Sequence, residues 1–201
     1  MSGSSSEGSD RNVSYYHRTS KKRKFGILDE GTLNSNLLLA SDTGDIDKVI
    51  SVLDMGANIN ILTGKPRPRG ATPLFLASRN NHVNVVNLLV ERGAHVNKSD
   101  FYEATPLWIA SGNGHVEVVR ILLERGADIN KYDDNWETPL YAASGNGHVE
   151  VVRVLAERGA DINDADESGE TPLYIASLEG HVEVVRVLAE KGADINKAKH
   201  G

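Results

Sequence analysis

Four histidines, His82, His115, His148 and His181, stand at 33-residue intervals. Imidazole is the side chain best suited to metal ligation and to proton transfer near neutral pH. The even spacing argues against both roles, because one step of a stacked repeat is roughly 10 Å, the separation of packed helix layers, too far for two rings to share an ion. Hydrogen bonding between repeats is the expected role. Ser-Gly-Asn-Gly, beginning at Ser111 and at Ser144, imitates a phosphate-cradling loop. It lacks the third glycine, and a helical rather than a strand pattern precedes it, so it reads as a turn. The run Asp164-Ala165-Asp166-Glu167-Ser168-Gly169 opens like a calcium loop, but position twelve, where a bidentate Glu is needed, is Ile175. Cysteine is absent, which removes disulfides, thiolate nucleophiles and Cys-ligated metals. No nucleophile–base pair stands apart from this framework, and the expectation is a non-enzyme that uses no cofactor and no metal.

The elements that carry these residues are set by a period. Thr-Pro-Leu begins at Thr72, Thr105, Thr138 and Thr171, and Gly-Ala pairs begin at Gly93, Gly126, Gly159 and Gly192. The units 105–137 and 138–170 agree at 24 of 33 positions, which makes stacked copies of one supersecondary unit the natural reading. A degenerate copy precedes them, with Ser35-Asn36-Leu37 in place of Thr-Pro-Leu. Within a unit, Thr105 is a helix N-cap and Pro106 occupies the first helical position, where a missing N–H costs nothing. The short helix is expected to end near Asn113, with Gly114 reversing the chain through positive φ. A second helix is predicted from about Val116 to Glu124. Val116, Val119, Leu122 and Leu123 form its apolar stripe, and Glu117, Arg120 and Glu124 pair along its outer face. Hairpins join the units. Neither helix buries its stripe alone, so the units must stack into a solenoid.

Residues 1–34 form a Ser/Gly-rich, basic tail of net charge +2, leaving −8 on the remainder, and disorder is expected there. Its cluster Lys21, Lys22, Arg23 and Lys24 has the composition of a short nuclear-import signal. No apolar run reaches the ~20 residues of a membrane span and no apolar leader opens the chain. The expectation is a cytoplasmic or nuclear protein that is not secreted, whose sequons at Asn12 and Asn97 go unused. The overall charge of −6 argues against a general nucleic-acid surface, and a nuclear regulator that meets nucleic acid through the basic tail and the loop from Lys65 to Arg69 is the alternative expectation. The last unit copies the internal ones and lacks the polar outer face of a terminal repeat. A monomer that continues or frays there is favoured over self-assembly.

The blocks Thr-Pro-Leu, Gly-His and Gly-Ala-Asp-Ile-Asn, repeated at strict period over 35–201, resemble the ankyrin-repeat family. The resemblance implies an all-α repeat solenoid of about five helix–turn–helix repeats (35–71, 72–104, 105–137, 138–170, 171–201) joined by β-hairpin loops. It implies a binding scaffold or adaptor that holds a protein partner on its concave face and hairpin tips, and it marks Asn130, eight residues after Leu122, as a candidate for asparagine hydroxylation. Two departures from the family pattern stand out. The usual His after Thr-Pro-Leu is Phe75, Trp108, Tyr141 and Tyr174, and the usual hairpin Gly is Glu103 and Trp136 in the middle repeats. Four more aromatics, Phe101, Tyr102, Tyr132 and Trp136, lie in the hairpins, and none lies in the second helices. These four with Trp108, Tyr141, Arg79 and Asn113 are the expected partner-binding residues. An acidic hairpin at Asp164–Glu170 flanks them on one side and a basic loop at Lys65, Arg67 and Arg69 on the other.

Overall fold

The computed structural model describes residues 28–64 and 69–197; the basic cluster Lys21–Lys24, Lys65 and Arg67 lie outside them. Ten helices run through the described residues: α1 Glu30–Thr43, α2 Ile46–Asp54, α3 Pro73–Arg79, α4 Val83–Glu91, α5 Pro106–Gly112, α6 Val116–Glu124, α7 Pro139–Gly145, α8 Val149–Glu157, α9 Pro172–Leu178 and α10 Val182–Glu190. Each odd-numbered helix packs on the next odd one and on its own even partner. The result is a stack of two helical rows, an all-α repeat solenoid.

Local chemistry sets the helix starts. The hydroxyl oxygens of Thr72, Thr105, Thr138 and Thr171 accept from the N–H groups of Phe75, Trp108, Tyr141 and Tyr174 at 3.1–3.2 Å, and Pro follows each Thr. Each first helix ends where Gly114 or its equivalent turns left-handed, at φ 76° for Gly114 and φ 59° for Asn81, which takes the glycine's place. At Gly114 a second constraint applies, since a Cβ there would lie 2.6 Å from His148 Nδ1.

The core is aliphatic and continuous. Leu37, Leu74, Leu107 and Leu140 of the first helices meet Val52, Leu89, Leu122 and Leu155 of the second, all almost fully buried. At ~2–3 kcal/mol for a fully buried aliphatic side chain, these layers hold the units together. A smaller cluster of Ala71, Phe75, Leu76 and Ala104 lies apart from this core.

Four details differ from the sequence reading. The first helix begins at Glu30, inside the segment expected as tail: Asp29 caps it by accepting from the Thr32 N–H and hydroxyl, and Leu33 and Asn34 are buried. The buried stripe of α6 is Val118, Val119, Ile121 and Leu122, with Val116 and Leu123 only partly covered, because the helix faces both its own partner and its neighbours in the row. Outer-face charges pair between repeats more than within them: Arg120 reaches Glu150, and Arg158 reaches Glu124. The linking hairpins contain no strand among the described residues.

Candidate recognition surface

The hairpins are held by local side-chain bonds. In three of them an Asp side chain closes the turn by accepting two of its N–H groups. Asp100 Oδ1 accepts from Tyr102 and Ala104, Asp133 Oδ1 from Asn135 and Glu137, and Asp166 Oδ1 from Ser168 and Glu170, at 2.8–3.1 Å. Successive tips are also joined directly. The N–H groups of Phe101, Asp134 and Glu167 donate to the carbonyls of Arg69, Tyr102 and Asn135 at 2.9–3.1 Å. The tips therefore form one fixed strip rather than independent loops.

The left-handed position of each turn is filled by Gly70, Glu103, Trp136 and Gly169, at φ of 76°, 57°, 64° and 78°. A side chain in that region costs roughly 1 kcal/mol relative to glycine. The two strained positions occur in the hairpins whose tips carry aromatic rings. Phe101 is 62% exposed, Tyr102 37%, Tyr132 50% and Trp136 56%. Tyr132 and Trp136 stack at 5.7 Å between centroids and 22° between planes, while the Arg69 guanidinium lies 5.6 Å over the Phe101 ring.

Between these tips and the first helices runs a groove of about 440 Å³. Its apolar walls are Phe75, Ala104, Trp108, Ile109 and Tyr102, and Asp100, Asp133, Asp134, Asn135 and Arg79 supply the polar ones. Burial pushes the carboxyls of Asp100 and Asp133 above the usual aspartate range, against the pull of their turn N–H groups, and neighbouring carboxylates add to the rise. Arg79, the one cation among the groove's described lining residues, is ion-paired with Asp42 at 2.8 Å. Trp108 Nε1–H is buried without an acceptor, an unmet demand worth of order 1–3 kcal/mol. A second groove of about 340 Å³ adjoins it, lined by Trp108, Glu137, Tyr141 and Ile175 among others. There burial, with the charges of Asp133, Asp166 and Asp134, raises the Glu137 carboxyl to about 7.

The eight expected contact residues are not equivalent. Phe101, Tyr102, Tyr132 and Trp136 are on the open strip, and Trp108 and Arg79 line the groove. Tyr141 is 7% exposed, and its hydroxyl donates to Asp166 Oδ2 at 3.2 Å, so the fold itself takes up most of this ring. Asn113 caps α5 and donates to the Arg79 carbonyl at 3.0 Å, a bond between repeats. The sequence reading missed Asp100, Asp133 and Asp134; for Asp100 and Asp133 an Asp three residues before the position that glycine usually fills was the available signal.

The periodic histidines do what their spacing implied. Their Nε2 atoms lie 2.9–3.0 Å from the carbonyls of Asp42, Arg79, Gly112 and Gly145 in the preceding repeat. A carbonyl only accepts, so each Nε2 carries the hydrogen. Asn60, Asn97, Asn130 and Asn163 form a parallel ladder, each Oδ1 accepting from a backbone N–H one repeat on. Asp166, the centre of the calcium-loop imitation, holds its own turn. Among the described residues no helix is long and apolar enough to cross a membrane.

The profile described as ankyrin repeats (3 copies) matches residues 37–133 and again 131–199. Among curated proteins, the chain is 35% identical over 97 residues to "Ankyrin repeat, SAM and basic leucine zipper domain-containing protein 1" of Carollia perspicillata, covering 47% of this chain and 19% of that protein. It is 38% identical over 68 residues to YahD of Escherichia coli (strain K12), described as an ankyrin repeat protein, covering 34% of this chain and 32% of that one. The chain thus spans a third or less of each of these relatives.

Proposed function

The chain belongs to the ankyrin-repeat family, whose repeats generally mediate protein–protein interaction, and from that premise we propose that it is a non-catalytic scaffold or adaptor. It holds a protein partner on the strip formed by Phe101, Tyr102, Tyr132 and Trp136 and on the groove beneath them. The observation that carries this reading is the pairing of exposed rings with backbone strain. Large apolar side chains are presented to solvent on hairpins that accept left-handed Glu103 and Trp136 to do so, and strain held at a surface feature points to use of that surface. Nothing in the aliphatic core requires rings at these positions.

The reading is tested by changing Phe101, Tyr102, Tyr132 and Trp136 together to Ala and comparing affinity capture from the source lysate by quantitative mass spectrometry. Proteins retained by the native chain and lost by the variant are the expected result. Identical capture profiles, with helicity preserved by circular dichroism, would overturn it.

A further inference from the structure

Among the described residues, the lining of the groove between the hairpin tips and α3 and α5 holds more carboxylates than cations. Three carboxylates, Asp100, Asp133 and Asp134, stand on one wall. Arg79, the one guanidinium among its described lining residues, is held by Asp42. Asp100 and Asp133 commit Oδ1 to their own turns, which fixes the carboxylates in place and leaves Asp100 Oδ2 outside those bonds. Asp134 is exposed, and its backbone N–H is tied to the Tyr102 carbonyl, so its side chain is positioned without being used. The Trp108 and Tyr102 rings line the same groove, and the volume of about 440 Å³ suits two or three side chains of an extended segment. Further along the strip Asp166 and Glu167 have the same sign.

The geometry points to an extended cationic peptide segment of a partner protein as the occupant, with an arginine among Asp100, Asp133 and Asp134 and a flanking apolar side chain against Trp108 and Tyr102. Carboxylates fixed before binding match a planar guanidinium without reorganisation, and an aromatic wall accepts both its face and the neighbouring apolar group. This rests on the reading that the strip is the interface and adds to it the chemistry of what is bound.

The probe is a fluorescein-labelled peptide, Gly-Ser-Phe-Arg-Ser-Arg-Phe-Ser-Gly, titrated with the full chain by fluorescence anisotropy. Its controls are the same peptide with both arginines replaced by citrulline, which keeps the shape and removes the charge, and with both replaced by glutamate. The arginine peptide is expected to bind about tenfold more tightly than the citrulline one, weakening with added salt. Asp134→Arg, a change at an exposed position, is expected to weaken it about tenfold by charge reversal while leaving the melting temperature unchanged. Equal binding of arginine and citrulline peptides, no binding of the arginine peptide, or indifference to Asp134→Arg would each overturn the proposal. Recovery of binding only when Lys21, Lys22, Arg23 and Lys24 are all changed to Ser would also overturn it, by identifying the chain's own tail as the occupant. If the citrulline or glutamate peptide binds as well and the four-aromatic variant abolishes that binding, the charge preference falls and the strip remains the interface. If the arginine peptide does not bind while the four-aromatic variant still loses captured proteins, the cationic-peptide proposal falls and the strip stands.

Discussion

Three carboxyls under the hairpin strip make the fold sensitive to pH, Glu137 most of all. Glu137 is half-buried beside Asp133, Asp134 and Asp166, and burial first, then their charges, raise it to about 7. A folded-state value above the ordinary glutamate value means that the fold binds the proton more tightly than the unfolded chain does. Its stabilising contribution is therefore fully present below about 4.5 and is lost as pH rises through about 7. The upward shifts of Asp100 and Asp133 act in the same direction. After allowance for solvent screening of a half-exposed group, Glu137→Gln is expected to stabilise the chain by on the order of 1 kcal/mol at pH 8 and to be nearly neutral at pH 5. Thermal unfolding of both proteins between pH 5 and 8 checks this. Parallel pH profiles would show that the carboxyl stays ionised throughout.

At the scale of elements, the hairpins and helices differ in how far they could be read from sequence. The helix limits of the third repeat were legible to about one residue, because Thr105-Pro106 and Gly114 are local signals whose meaning does not depend on what packs nearby. The histidine bonds between repeats followed from the period alone. What stayed hidden concerns neighbours. The period does not say whether Arg120 faces Glu117, Glu124 or the next repeat's Glu150, and the structure chooses Glu150. Nor does it separate a ring that lies open, such as Trp136, from one the fold absorbs, such as Tyr141, although both break the family pattern. The start of α1 was missed because Asp29 and Glu30 sit in a polar stretch whose composition outweighed a capping signal. The strained turn makes a prediction at this scale. Glu103 is exposed and left-handed at φ 57°, so Glu103→Gly is expected to stabilise by about 0.5–1 kcal/mol. A rightward shift of the denaturation midpoint at constant slope would show it, and no shift would mean that the Asp100 turn bonds already absorb the strain.

Across the whole molecule, stability is the sum of units and of the interfaces between them. Inner repeats are covered on both sides, but Leu178, Val182 and Ile195 of the last repeat are exposed, so α10 loses one interface that α6 has. Hydrogen exchange is expected to be fastest at 182–190 and slowest at 116–124 among the second helices, by tenfold or more if one interface contributes over ~1.4 kcal/mol. Equal protection would mean that the terminal face is covered in solution, as by a second copy. The same linear arrangement gives the molecule an optical property. Its only two indoles, Trp108 and Trp136, fall on one face, the first in the groove wall and the second on the strip. The intrinsic emission of the chain is therefore a built-in gauge of that face: a ligand seated there changes the spectrum, and one bound to the second-helix row leaves it dark.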